Sequence, residues 1–146
     1  MKSTVIRKMV EDDRENILKM MRVFYASDAV ATNGSEEIFK ADIDACVSGS
    51  PYLEGYVFLK GECAVGYGMI AKSFSTEYGK SCIWVEDIYL LPEYRHCGIG
   101  SAFFEHIEGL YTDSIFRLEV EAENKNAIAA YKRNGFDFMP YLEMKK

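Results

Sequence analysis

Three groups of residues between positions 86 and 136 combine side chains of known reactivity with an ordered spacing. The first is Arg95-His96-Cys97-Gly98-Ile99-Gly100-Ser101, which follows an apolar run ending in Ile88-Tyr89-Leu90-Leu91-Pro92. Gly98 and Gly100 let backbone approach a ligand with no Cβ in the way. The amides at the start of the helix expected after them have no intrahelical acceptors, and together with the helix dipole they form an anion site. Arg95 adds a permanent charge with planar donors. A pyrophosphate is the natural guest of such a turn, although a tight turn opening a helix would use the same glycines. Two other phosphate motifs fail. The G-x-x-x-x-G-K-[ST] loop is absent, and Phe103 stands where a dinucleotide turn needs a third glycine or alanine. Cys97, beside a helix start, is either a thiol of lowered pKa or a small residue contributing only its amide.

The second group is Asn124-x-x-Ala127-x-x-x-Tyr131-x-x-x-Gly135-Phe136. Asn124 suits a helix N-cap, and Tyr131 shares a helical face with Ala127 and Ile128, so capping and packing would account for both. A tyrosine hydroxyl is also a proton donor at neutral pH, with an ordinary pKa of about 10. The third group is Glu86-Asp87, two acids inside the apolar strand Trp84-Val85-Glu86-Asp87-Ile88-Tyr89-Leu90. Neighbouring strand residues point to opposite faces, so one acid faces any given cleft. Strict alternation puts Glu86 on the side of Ile88 and Leu90. A carboxylate there is costly unless solvated, paired or used. Glu86 is accordingly a general base or amine ligand, or else an acid at a wet edge or in an ion pair, with Asp87 as the second candidate.

Arg95-x-x-Gly98-x-Gly100 and, about 30 residues on, Asn124 to Phe136 together resemble the two signature segments of GNAT-superfamily N-acetyltransferases, most strongly over residues 81–136. In motif style the chain is similar to the polyamine- and thialysine-type members. The resemblance implies acetyl-coenzyme A as cosubstrate and no metal. It implies that Ile88, Tyr89 and Leu90 contact pantetheine and acetyl, that His96, Cys97, Gly98, Ile99, Gly100 and Ser101 cradle the pyrophosphate, and that Asn124 contacts the pantetheine arm. Arg95 and Arg133 lie toward coenzyme phosphates, Tyr131 protonates the leaving thiolate, and Glu86 acts on the amine. The acceptor is expected near Tyr25 to Ser35 and Phe136 to Tyr141, where Tyr25, Asp28, Glu86 and Asp87 are the candidate ligands. Relatives often have glycine where His96 stands, so His96 is expected to accept some strain if its φ is positive. The acids favour a small cationic amine as partner, with a protein or peptide amine as the alternative and a non-catalytic acyl-coenzyme A sensor as the alternative outside enzymes. Many relatives are dimers, and a homodimer is an open expectation.

These groups need a sheet and helices to hold them. Thr4 to Val10 reads as a strand, and Ile17, Leu18, Met21, Phe24 and Tyr25 mark a helix over 13–25. Ser35 caps a second helix carrying Ile38, Phe39, Ile43, Cys46 and Val47, which Ser48-Gly49-Ser50-Pro51 stops. Strands come next over Tyr56 to Lys60, Ala64 to Ser73 and Lys80 to Leu91, then a helix over 98–111. Phe116, Leu118 and Val120 alternate with Arg117, Glu119 and Glu121 as a strand with one wet face. A helix over Asn124 to Asn134 ends at Gly135, and Phe136 to Met144 is expected to add one or two strands, with Pro140 at an edge or bulge. The order β-α-α-β-β-β-α-β-α-β(β) predicts a single α/β (α+β) domain over 1–146, a mixed sheet with helices on both faces.

A formal net charge of −6 argues against a nucleic-acid backbone as partner. The four cysteines form no C-x-x-C pair and no zinc spacing with the histidines, which suits reduced thiols in the cytoplasm. The N-terminal residues show no signal peptide, and the longest apolar run, Ala64 to Ala71, is too short to cross a bilayer.

Overall fold

The computed structural model describes residues 3–31 and 34–146. Met1, Lys2, Thr32 and Asn33, the last part of the expected Asn33-Gly34 turn, lie outside the described residues. The elements are β1 (Thr4–Lys8), α1 (Arg14–Tyr25), α2 (Glu36–Val47), β2 (Leu53–Lys60), β3 (Cys63–Ser75), β4 (Lys80–Leu90), α3 (Ile99–Leu110), β5 (Ile115–Leu118) and α4 (Lys125–Arg133). Ser35 caps α2 by accepting from the Ile38 amide at 3.3 Å, and Asn124 caps α4 by accepting from the Ala127 amide at 3.3 Å.

The sheet runs β1-β2-β3-β4-β5, with antiparallel pairs up to β4 and a parallel pair β4–β5. Strand alternation sends apolar side chains to both faces. One face buries Ile17, Met21, Phe39 and Ile43 of α1 and α2 against Val57, Tyr67 and Met69. The other buries Ile99, Phe103 and Ile107 of α3 against Phe58, Ile70, Ile83 and Val85. Each such fully buried side chain contributes about 1.5–3 kcal/mol. Gly68 is where α3 comes down on the sheet, since a Cβ there would lie 2.6 Å from the Phe103 ring.

Glu54 ties the sheet to α3. Lys8 and Lys72 donate to its carboxylate at 3.2 Å each and Tyr56 at 2.9 Å, and the Tyr111 hydroxyl donates as well. Burial alone would raise its pKa, but these four donors outweigh it and hold Glu54 down to about 2.

Alternation fails at one point, and the failure shapes the site. In the β3–β4 pair Met69 faces Asp87 while Ile70 faces Val85, so Glu86 is an extra residue in β4. Such a bulge switches the faces to which the later residues of the strand point. Val85 and Ile88 both join the α3-side cluster, whereas Asp87 bonds residues of α1 and β3 on the opposite face.

Two sequence expectations are corrected. The strand expected to continue to Val120 stops at Leu118, opposite Val85, because β4 bulges at the next residue and offers no further partner. The strands expected over Phe136 to Met144 are not formed. Pro140 lacks a donor, β5 is only four residues long, and Phe138, Leu142 and Met144 remain exposed. Side chains anchor this tail instead. The Tyr141 hydroxyl donates to Glu77 at 2.7 Å, and the Lys132 ammonium sits 4.9 Å from the Phe138 ring centroid.

Candidate active site

Because β5 pairs only as far as Val85, residues 86–90 of β4 have no strand beside them on that side. The Leu91 amide donates to Val65 on β3 at 2.9 Å, so the amides of Leu90 and Ile88 point the other way, into the gap. A cleft of about 790 Å³ passes through this gap. Phe24 and Tyr25 wall it on one face of the sheet, and the starts of α3 and α4 wall it on the other.

The turn before α3 has the backbone of an anion cradle. His96 has φ of 61° and Gly98, the N-cap of α3, has φ of 82°. His96 thus has the positive φ on which its expected strain was conditional, a conformation that glycine would adopt without strain. No side chain caps α3, so its first amides (Ile99, Gly100, Ser101) stay available to a ligand. A Cβ at Gly98 would meet nothing within 4 Å, and one at Gly100 only Ile88 at 3.8 Å, so there is open space over the turn. Arg95 donates from Nε to the Leu90 carbonyl at 3.0 Å, with its guanidinium 5.5 Å from the Tyr89 ring centroid. This locks the turn to the end of β4. Donors, open space and fixed positive charge suit the diphosphate of a coenzyme A.

Tyr131, on α4, packs its ring against Phe104 and Phe136 at centroid distances of 6.1 and 6.2 Å. Its hydroxyl has no hydrogen-bond partner among the described residues. No buried side-chain polar atom there is left unpaired, so this hydroxyl is solvent-accessible, and Tyr131 lines the cleft. Burial of the rest of the side chain raises its pKa, keeping the hydroxyl protonated through neutral pH.

Glu86 is solvent-accessible yet ringed by protein, and it joins no ion pair among the described residues. Burial, then the charges of Asp87 and Glu143, raise its pKa. Other acids crowd the same end. Burial and the charges of Asp87 and Glu86 push Asp42, on α2, up to about 6. Glu119, just past β5, is pushed up to about 7 by its hydrogen bond with Glu143, then by burial and the charges of Glu143 and Glu86.

Of the residues nominated from sequence, Tyr25, Glu86, Ile88, Tyr89, Leu90, Arg95, His96, Gly98, Ile99, Gly100, Ser101, Asn124, Tyr131 and Arg133 line the one cleft. Three do not. The Cys97 thiol donates to the Arg95 carbonyl at 3.3 Å, Asp28 is exposed outside the cleft, and Asp87 lies behind Tyr25. The side-chain oxygen of Asn124 is engaged as the α4 cap. Sequence reasoning missed Asp42, Glu119 and Tyr67. Asp42 left a signal, because it falls on the apolar stripe Phe39-Asp42-Ile43-Cys46 where an acid is out of place.

A second groove, of about 370 Å³, lies between β5 and the tail. Trp84, Phe116, Phe138 and Leu142 line it, and it shares Leu118, Glu119, Val120 and Tyr131 with the cleft. The Arg117 guanidinium sits 4.5 Å from the Trp84 ring centroid in its wall.

Comparison with known proteins places this geometry. Residues 18–136 match the model of the acetyltransferase (GNAT) family. A thialysine N-epsilon-acetyltransferase of Sus scrofa is 36% identical over 92% of this chain and 85% of its own length. Among solved structures, "a possible acetyltransferase from Clostridium difficile 630" superposes with a TM-score of 0.82 at 22% identity, covering 98% of this chain and 96% of that one. AAC(6')-Iy, in complex with a bisubstrate analog of coenzyme A and acetylneamine, superposes at 0.80 with 14% identity over 99% and 97% of the two chains. These two likenesses are of fold.

Proposed function

The chain belongs to the acetyltransferase (GNAT) family, and from that premise we propose that it passes the acetyl group of acetyl-coenzyme A directly to the nitrogen of a small cationic amine. The observation that carries this reading is the single cleft through the β4–β5 gap. Its lining brings together the unpaired α3 amides, Glu86 and Glu119, and Tyr131.

Acetyl-coenzyme A supplies an acetyl group activated as a thioester. The amides of residues 98–101, with Arg95 and Arg133 nearby, hold its diphosphate, and the free edge at Ile88 and Leu90 orients its arm. An amine is protonated at neutral pH and cannot attack until it loses a proton. Glu86, made more basic than an ordinary carboxylate by burial and by the charges of Asp87 and Glu143, takes that proton directly or through water. The Leu90 amide donates to the oxygen that gains negative charge. Tyr131 gives its proton to the departing sulfur.

The acceptor class rests on charge. The charge of Glu86 raises the pKa of Asp42 and of Glu119, and the charge of Glu143 raises those of Glu86 and Glu119, which a bound ammonium would relieve. The similar Sus scrofa protein is named for acetylating thialysine, whose side chain ends in a primary amine. The apolar groove beside Glu119 suits the carbon body of such a molecule. The reading takes residues 1–146 as one catalytic domain working in the cytoplasm. Among the described residues no helix is long and apolar enough to cross a membrane.

The test is release of free thiol from acetyl-coenzyme A across a panel of alkyl diamines, lysine-like amino acids and peptides with free amines. The expected result is turnover with small diamines or lysine-like amino acids and little with peptides. Selective turnover of peptides would move the acceptor to a protein amine. Binding of acetyl-coenzyme A with no thiol release for any amine would make the chain a sensor.

A further inference from the structure

Two carboxylates are buried among the described residues, Asp13 and Asp87. Asp13 is neutralised by the Arg7 guanidinium, which reaches it at 2.8 Å. Asp87 has no such cation among the described residues. A buried acid without a countercharge persists only if its oxygens are bonded. Both are: the Tyr25 hydroxyl donates to Oδ1 at 2.8 Å and the Tyr67 hydroxyl to Oδ2 at 2.7 Å.

The three residues have different stations. Tyr67, in the middle of β3, is fully buried and touches no ligand space. Asp87 follows the bulge in β4 and is turned to this face by it. Tyr25 is the last residue of α1 and lines the cleft, where the chain leaves the helix toward Ala29, Val30 and Ala31, which line the cleft too. Rings close the assembly: Phe24 lies 6.4 Å from Tyr67 and Tyr25 lies 5.2 Å from Phe39, centroid to centroid. One backbone irregularity thus presents Glu86 to the cleft and sends Asp87 back to hold the opposite wall.

We infer that Tyr67, Asp87 and Tyr25 form a positioning chain that pins the end of α1, and with it the acceptor wall, at a fixed distance from Glu86. Asp87 is then a positioning residue and not an amine ligand, since both of its oxygens are already engaged. The inference rests on the proposed reading of this end of the cleft as the acceptor side. The ionisable groups that face Asp87 are Tyr25 from α1, Asp42 and Cys46 from α2, Tyr67 from β3 and Glu86 from β4.

The discriminating variant is Tyr67→Phe, which removes one hydroxyl from a site no amine can touch. Loss of one hydrogen bond to a buried group corresponds to about a fivefold effect. The expected result is a KM for the amine raised about fivefold, with kcat and the KM for acetyl-coenzyme A within about twofold of wild type. In the free protein, amide hydrogen exchange over residues 24–31 should quicken. If Tyr67→Phe does not fold, Tyr25→Phe stands in for the exchange measurement alone, because Tyr25 itself lines the cleft and its KM would mix direct contact with positioning. Asp87→Asn keeps the shape but removes the charge felt by Glu86, so the acid limb of the kcat/KM profile should move to lower pH. An unchanged amine KM and unchanged exchange in Tyr67→Phe would overturn the inference, as would a parallel rise in both KM values. The exchange measurement needs no acetyl transfer, so it judges the positioning chain even if no amine proves to be a substrate.

Discussion

Tyr131→Phe lowers kcat by about a hundredfold or more, the contribution expected of a positioned general acid, and leaves the affinity for acetyl-coenzyme A nearly unchanged. The substitution is clean because the ring, not the hydroxyl, does the packing. Phe104 and Phe136 pack edge-on with the ring, and the hydroxyl has no partner among the described residues to lose. A phenylalanine therefore keeps α4 docked while withholding the proton. Wild-type Tyr131 is well suited to the role, because burial raises its pKa and keeps it a donor across the working range. The measurement is single-turnover thiol release, in which chemistry and not product release sets the rate. Turnover at the wild-type rate under those conditions would remove Tyr131 from the reaction.

The second large effect belongs to Glu86→Gln. At neutral pH the loss in kcat/KM should again be about a hundredfold or more, but its pH dependence is the informative part. Glu86 has a pKa raised above the ordinary carboxylate value, so the wild-type acid limb lies above the range of an exposed glutamate. Below that limb Glu86 is protonated and cannot accept; above it the base is available. Without Glu86 the enzyme must wait for amine deprotonated by solvent. That fraction grows about tenfold per pH unit until the amine's own pKa near 10, so the deficit should shrink steadily as pH rises. Parallel profiles for wild type and Glu86→Gln would mean that this carboxylate binds or merely borders the amine.

The parts of this site that could be read from sequence are those fixed by local geometry. Two glycines spaced by one residue at a helix start and a tyrosine one turn past Ala127 depend only on nearby backbone, and the structure puts them on one cleft. Glu86 was legible as a candidate, an acid out of place in an apolar strand. Its surroundings were not. Alternation predicts that Val85 and Asp87 share a face, and only the mismatch in register between β3 and β4 reverses that. The destination of Asp87 therefore depended on how its strand pairs with a neighbour, which no local pattern records. The C-terminal strands failed for a related reason. The alternation of Phe138, Pro140, Leu142 and Met144 marks a segment able to extend, but a strand also needs a partner edge, and β5 offers only four residues. Asp42 was detectable on its helical stripe, but its meaning depended on Asp87 lying across from it.

All of these effects depend on the diphosphate being held by the turn at residues 96–101. Isothermal titration of the wild-type protein with acetyl-coenzyme A, and separately with S-acetylpantetheine, tests it most directly, since the second ligand keeps the thioester and lacks the diphosphate and nucleotide. Charge-assisted hydrogen bonds of the kind available there make acetyl-coenzyme A bind at least about tenfold more tightly, with the difference shrinking as salt is raised. Equal affinities for the two ligands, or no binding of acetyl-coenzyme A, would contradict the account.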